Sequence, residues 1–213
     1  MRIESISKYK GAVYETELDD GRKLYLHADI MADFGLCSGM ELDRAQLRKI
    51  VYASNFRRAF EYALYRLDYR DYSYRERFTK LVQTYKNEAL CYDVMKKLTR
   101  LGVINDVRYA EKLARRYVEV KRYGIYRARR EMMLKGIDGD TADGALEIYQ
   151  ASAQENIGWL LERKYSRLLT DSSDRKSIEK VRSALVRSGY GFDDVNRALR
   201  EYFESADDPQ EDI

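Results

Sequence analysis

Gly102-Val103-Ile104-Asn105-Asp106, Gly136-Ile137-Asp138-Gly139-Asp140 and Gly189-Tyr190-Gly191-Phe192-Asp193 are three copies of one short pattern. A glycine is followed by an apolar residue, then by two further residues, then by aspartate. Four positions before each glycine stands another apolar residue: Leu98, Met132 and Leu185. Glycine just past a helix end takes the left-handed conformation that other residues resist, and the apolar residue after it folds back on the last turn. Aspartate at the start of the next helix accepts from free N–H groups and favours the positive helix end. The pattern therefore predicts three tight helix–turn–helix corners.

The chain around these corners reads as helix. Phe56, Ala59, Phe60, Ala63, Leu64 and Leu67 recur at helical spacing from about residue 54, with Arg57, Arg58, Glu61 and Arg66 opposite. Ser73-Tyr74-Arg75-Glu76 has the form of a capping box and opens a helix carrying Phe78, Leu81 and Val82. A third helix carries Leu90, Val94, Leu98 and Leu101. Beyond the first corner, Val107, Ala110, Leu113, Ala114, Tyr117 and Val118 share one helix side, and Tyr123-Gly124 ends the run. Ile125–Lys135 forms the next helix, with Ile125, Ala128 and Met132 inward. Lys135–Leu146 and Ser188–Leu199 correspond at an offset of 53 residues, the mark of an internal repeat. The single proline, Pro209, lies in the tail, so no proline interrupts residues 1–208.

Residues 1–30 read differently. Val13, Tyr14, Thr16 and Leu18 lead to Asp19-Asp20-Gly21-Arg22, and Leu24, Tyr25 and Leu26 follow: a β-hairpin, with Ile3–Ile6 as a third strand. Short helices are expected near Gly35 and Gly39. The expected fold is mainly α: three tandem three-helix units forming a long, curved molecule, preceded by a small β-hairpin extension. The boundaries are 1–53 for the extension, 54–105, 106–150 and 151–205 for the three repeats, and 206–213 for an acidic, frayed tail.

Charge is unevenly spread. The net charge of +3 resolves into −1 over residues 1–54, +11 over 55–135 and −7 over 136–213. A basic block between acidic ones points to a polyanionic partner for the middle of the chain; the alternative is a set of solvated helix faces. Arg108, Lys112, Arg115, Arg116, Lys121, Arg122, Arg127, Arg129 and Arg130 supply cations for phosphates or acidic protein surface. Tyr123 and Tyr126 flank Gly124 at a helix boundary and are the tyrosines best placed to stack. Most of the 19 tyrosines must instead pack between helices.

Catalysis finds no foothold in the sequence. His27 lies in an expected strand without a Ser or Cys partner and reads as structural. No phosphate-cradling Gly-x-x-x-x-Gly-Lys-Ser/Thr occurs. The acid pairs Asp19-Asp20 and Asp193-Asp194 fall at a turn and a helix start. Cys37 and Cys91 are far apart and read as reduced thiols. Neither an enzyme, a cofactor nor a metal site is expected, nor is a membrane span or signal peptide. A cytoplasmic monomer is expected.

Several of these motifs, in their order and spacing, resemble the RecX family. They are Ala63-Leu64…Leu67…Arg70…Ser73, Leu98…Gly102-Val103-Ile104-Asn105-Asp106-Val107-Arg108-Tyr109-Ala110, Tyr123-Gly124…Arg127…Glu131-Met132…Lys135-Gly136-Ile137 and, more loosely, Val181…Leu185…Gly189-Tyr190…Asp193. The resemblance covers about residues 54–203. It implies tandem three-helix modules that bind the RecA recombinase filament on single-stranded DNA, lie in its groove and inhibit or modulate it. Arg77 departs from it, standing where the family usually has an apolar residue. Two other readings stay open: a helix-turn-helix-like DNA-binding protein reading a defined duplex, and a helical scaffold that binds protein alone.

Overall fold

The computed structural model describes residues 1–207 and divides into two compact units, Met1–Asp71 with Arg77–Ile104, and Tyr72–Glu76 with the chain from Asn105 onward. The tail expected at 206–213 lies, from residue 208, outside the described residues.

In the first unit β1 (Ile3–Lys10), β2 (Val13–Leu18) and β3 (Lys23–His27) form an antiparallel sheet in the order β1-β2-β3. The hairpin turn is the expected one: Gly21 has φ 78° and its N–H donates to the Leu18 carbonyl at 2.9 Å. Strand alternation sends Ile3, Leu18 and Leu26 into a core shared with Ile30, Leu42, Leu47 and Ile50. His27 caps the short helix α1 (Ala28–Asp33), its Nδ1 accepting from the Asp29 N–H at 3.2 Å, which gives it the structural role expected.

Helix α2 runs from Arg44 to Leu67, so it begins ten residues before the expected change of period, and the boundary placed at 53/54 falls inside it. Its start is a capping box: Asp43 accepts from Gln46 N–H at 2.7 Å and Gln46 Oε1 accepts from Asp43 N–H at 2.9 Å. Helices α3 (Tyr74–Tyr85) and α4 (Glu88–Arg100) follow, and α4 buries Leu90, Cys91, Val94, Met95 and Leu98; Leu101 is exposed. The departure at Arg77 is accommodated inside: its side chain is buried, donates to the Tyr62 carbonyl and lies 5.1 Å from the Tyr62 ring centre.

The second unit holds α5 (Asp106–Arg115), α6 (Ile125–Leu134), α7 (Gly139–Leu146), α8 (Ala153–Leu160), α9 (Arg175–Arg187) and α10 (Phe192–Asp207). One core gathers Ala110, Leu113, Tyr117, Ala128, Met132, Ile137 and Leu146; another gathers Ile157, Leu161, Val181, Leu185, Tyr190, Val195 and Leu199. Helices α5 and α8 each run on into a π-helical turn, Arg116–Val120 and Leu161–Tyr165. Val107, expected inward on α5, is 59% exposed.

All three corners close in the same way. Gly102, Gly136 and Gly189 have φ of 67°, 86° and 92°. The following residue donates back to the apolar residue singled out by the pattern: Val103 to Leu98 at 3.0 Å, Ile137 to Met132 at 3.2 Å, Tyr190 to Leu185 at 3.3 Å. This six-to-one bond defines a Schellman end. The caps differ from expectation. Asn105, not Asp106, accepts from the Arg108 N–H at 3.0 Å, and Asp138, not Asp140, accepts from the Thr141 N–H at 2.9 Å. Asp106, Asp140 and Asp193 stand within the first helical turn, where their charge still favours the helix dipole.

Two corners also serve as docking points inside the second unit. Ser73 Oγ donates to the Lys135 carbonyl at 2.6 Å, and the Gly124 N–H donates to the Ser188 carbonyl at 2.9 Å. The start of a middle helix thus rests on a glycine corner twice. A Cβ on Gly136 would lie 2.6 Å from Ser73 Oγ, and one on Gly124 would lie 2.1 Å from the Gly189 carbonyl oxygen. Chain is therefore packed closely on chain: at Gly136 glycine is required for the approach as well as for φ, and at Gly124 for the approach alone.

Candidate nucleic-acid and partner interface

Helix α5 presents Arg108, Lys112, Arg115 and Arg116 to solvent, because Ala110, Leu113 and Ala114 occupy its buried side. The π-helical turn that follows inserts one extra residue, turning Tyr117 and Val118 into the core and leaving Lys121 exposed. Arg122 then takes φ 53°, and it is here, one residue earlier than expected, that the chain breaks toward α6. On α6, Tyr126 and Arg130 are exposed, while Arg127 and Arg129 are half-buried.

Not all of these cations are available. Arg129 forms a two-pronged pair with Asp143 of α7, at 2.6 and 2.9 Å. That contact raises the Arg129 pKa and holds the Asp143 carboxyl below its ordinary range. Arg115 pairs with Glu119 at 3.1 Å. Glu119 also accepts from the Tyr149 hydroxyl at 2.8 Å, and this bond, then Arg115, lowers its pKa. Arg122 is structural: it bonds the buried Asn156 Oδ1 and lies 5.2 Å from the Trp159 ring. Arg127 also faces Glu131, at 3.9 Å. Arg116 and Arg130 have no ion-pair partner among the described residues.

The structure does bring one predicted group together. Tyr123 stacks on Tyr117, with ring centres 6.0 Å apart and 19° between planes. Arg127 lies 3.9 Å and Lys121 Nζ 5.4 Å from the Tyr123 ring centre, and Lys121 is also 5.1 Å from Tyr117. Two cations therefore sit on one aromatic pair, each interaction worth about 0.5–1 kcal/mol at such exposed positions. Tyr123 is engaged within the chain, whereas Tyr126 is 72% exposed.

Residues of the third module were missed. Leu113-Ala114-Arg115-Arg116-Tyr117 and Leu161-Glu162-Arg163-Lys164-Tyr165 share one spacing, 48 residues apart. Both tyrosines are buried. Arg163, the counterpart of Arg115, is exposed and has no ion-pair partner among the described residues, and Lys164 lies 5.1 Å from the Tyr165 ring. The shared spacing is the signal that could have found them.

The arrangement defines a class: tandem three-helix modules, the second carrying a set of solvent-facing cations with one free aromatic ring beside them. The family model of the RecX second three-helix domain matches residues 105–146, which is α5 to α7. Over 199 residues the chain is 29% identical to the regulatory protein RecX of Bacillus velezensis, covering 91% of this chain and 74% of that one. The Enterococcus faecalis regulatory protein RecX is 25% identical over 209 residues, covering 98% and 79%. Among solved structures, RecX from Lactobacillus salivarius superposes with a TM-score of 0.65 at 27% identity, over 70% of this chain and 97% of that one. Another RecX crystal structure shares the fold, with a TM-score of 0.74 at 23% identity over 94% and 98%. In sequence and in fold, then, the chain is similar to RecX regulatory proteins. No described helix is long and apolar enough to cross a membrane.

Proposed function

We propose that this chain regulates the RecA recombinase by binding its filament on single-stranded DNA through the basic face of α5 and α6. The observation that carries this reading is the pair Arg116 and Arg130: guanidinium groups left without a carboxylate, in a module where Arg115 and Arg129 are neutralised locally. An exposed cation with no internal partner does little for the fold and is available to a phosphate or an acidic surface. The regulatory names of the relatives support the same direction. Held across the filament, the modules would stabilise one of its states or block DNA entry, and inhibition would follow from that difference in affinity.

The test is capture of a DNA-assembled RecA filament, with its ATPase rate as a second readout. Arg116→Glu with Arg130→Glu is expected to weaken capture and relieve inhibition at unchanged melting temperature. For each phosphate that is no longer neutralised, the slope of log affinity against log salt should fall by about 0.7. Arg129→Gln, which breaks a pair internal to the module, should weaken capture less. Unchanged capture by the double variant at moderate salt would remove this site from the mechanism.

A further inference from the structure

Between α6 and α10, inside the second unit, lies a cavity of about 340 Å³. Its walls include Tyr123, Tyr126, Tyr149 and Tyr190, and backbone at Gly124 and Gly189 forms part of the lining. Two of the rings are fixed at their far ends. The Tyr190 hydroxyl donates to the Arg122 carbonyl at 2.9 Å, and the Tyr149 hydroxyl donates to Glu119 at 2.8 Å. Tyr126 is the exception: its ring has no aromatic or cation partner among the described residues and is largely exposed. Small-molecule sites have this character, being concave, mostly apolar, and a few hundred Å³ in size.

Charge sets what could enter. The same Tyr123 ring that lines the cavity carries Lys121 and Arg127 over it, at 5.4 and 3.9 Å. The acidic groups are already engaged: Asp194, itself in the wall, accepts from Arg197 at 2.9 Å, Glu119 accepts from Arg115 and Tyr149, and Glu131 holds Arg127 only loosely, at 3.9 Å. Gln150, on the rim, adds an exposed amide. Flat apolar walls, one free ring and two cations beside them match a nucleotide unit: a planar base with phosphates on its flank.

We propose that this cavity receives an unstacked base of single-stranded nucleic acid, with Tyr126 stacking on it and Lys121 and Arg127 holding the adjoining phosphates. The proposal rests on the nucleic-acid side of the function given above and deepens it. It assigns one base per chain to a defined place, where binding to phosphates alone would leave the bases unread.

The experiment is an anisotropy titration of the full chain with a labelled oligonucleotide, and with an abasic strand of equal length and phosphate number, without recombinase. The base-containing strand is expected to bind at least about fivefold tighter, the factor that one stacked base supplies. Tyr126→Ala should remove most of that preference and leave abasic binding unchanged; Tyr126→Phe should keep it. Because Tyr126 is exposed, neither variant should lower the melting temperature, which is measured alongside. Equal affinity for the two strands overturns the proposal, as does a base preference that survives Tyr126→Ala. If the chain ignores both strands yet captures the RecA filament in a Tyr126-dependent way, the cavity takes a protein side chain. In that case the base site falls and the filament reading stands.

Discussion

Replacing Gly124 by alanine isolates what the joint between α6 and the Gly189 corner contributes. Gly124 has an ordinary extended backbone, φ −67° and ψ 159°, so alanine meets no torsional objection there. On that ground alone Gly→Ala should stabilise by about 0.4–1 kcal/mol through the unfolded chain. The new Cβ, however, would lie 2.1 Å from the Gly189 oxygen and 2.4 Å from the Tyr190 nitrogen. The two backbones must part by roughly 1 Å, and overpacking of this kind costs about 1–3 kcal/mol. Parting also stretches two hydrogen bonds, Gly124 N–H to Ser188 at 2.9 Å and Tyr126 N–H to Gly189 at 3.3 Å. Each is worth about 0.5–1.5 kcal/mol. The net loss is about 3 kcal/mol, or a fall of about 6–12 °C in melting temperature for a chain of this size. Circular dichroism reads the global transition. The fluorescence of Trp159, packed against Arg122 beside the joint, reads the local one. Gly158→Ala is the control: it lies within α8 with open space where a Cβ would go, and should stabilise by about 0.5–1 kcal/mol. If Gly124→Ala stays within about 0.5 kcal/mol of the parent, a typical surface effect, the backbone-on-backbone joint is not holding these elements together.

Lys86 occupies a corner with φ 50°, so Lys86→Gly should relieve about 1 kcal/mol of left-handed strain while adding a comparable unfolded-state entropy. Its expected stability is within about 0.5 kcal/mol of the parent in either direction by urea denaturation, and a loss larger than that would give the lysine side chain a role of its own. Asp106 is half-buried, and desolvation raises its pKa despite a 2.8 Å bond from the Tyr74 N–H. The folded state then holds its proton more tightly than the unfolded one, so this group costs stability as pH rises from the ordinary aspartate value through the folded value. Asp106→Asn keeps an acceptor for Tyr74, and should be more stable than the parent at neutral pH, with the advantage fading on acidification; pH-dependent urea titrations would show it. Asn105→Ala removes the α5 cap and should cost about 1 kcal/mol by the same measurement.

Much of the helical layout was legible because its signals are local. A Schellman end needs only a glycine and an apolar residue four positions earlier, and all three copies could be read from the chain. The capping box at Ser73 marked the start of α3 to the residue. The start of α2 was missed although Asp43 and Gln46 have the right spacing, because Arg44, Arg48 and Lys49 dilute the apolar period just beyond it. Burial of Arg77 could not be foreseen, since the Tyr62 carbonyl it reaches belongs to another helix. The interface was only half legible for the same reason. Helical projection finds which cations face out of α5 and α6, but Asp143, which neutralises Arg129, and Asn156, which takes Arg122, come from later elements. The free cations could be separated from the engaged ones only once those elements were in place.

Two separate demands decide where glycine stands at the helix ends. The helices that finish at Tyr85, Arg100, Leu134 and Arg187 are each followed by a corner with a left-handed residue, and only three of those four residues are glycine. Lys86 shows that the conformation alone is tolerable for a side chain, provided that the corner is exposed, as this one is. At Gly102 a Cβ would meet nothing within 4 Å, so glycine there answers to φ alone. At Gly136 and Gly189 a Cβ would meet Ser73 Oγ at 2.6 Å and the Arg127 nitrogen at 2.4 Å, so there a second demand is added. The residues that marked the repeats in the sequence are therefore of two kinds. One kind only ends a helix. The other ends a helix where a neighbouring helix start must come to backbone distance, and it is this second demand, not the turn, that makes the side chain intolerable. A repeat whose corner lacks such a neighbour is free to lose its glycine, which is why the corner at Lys86 could not be found by searching for the pattern.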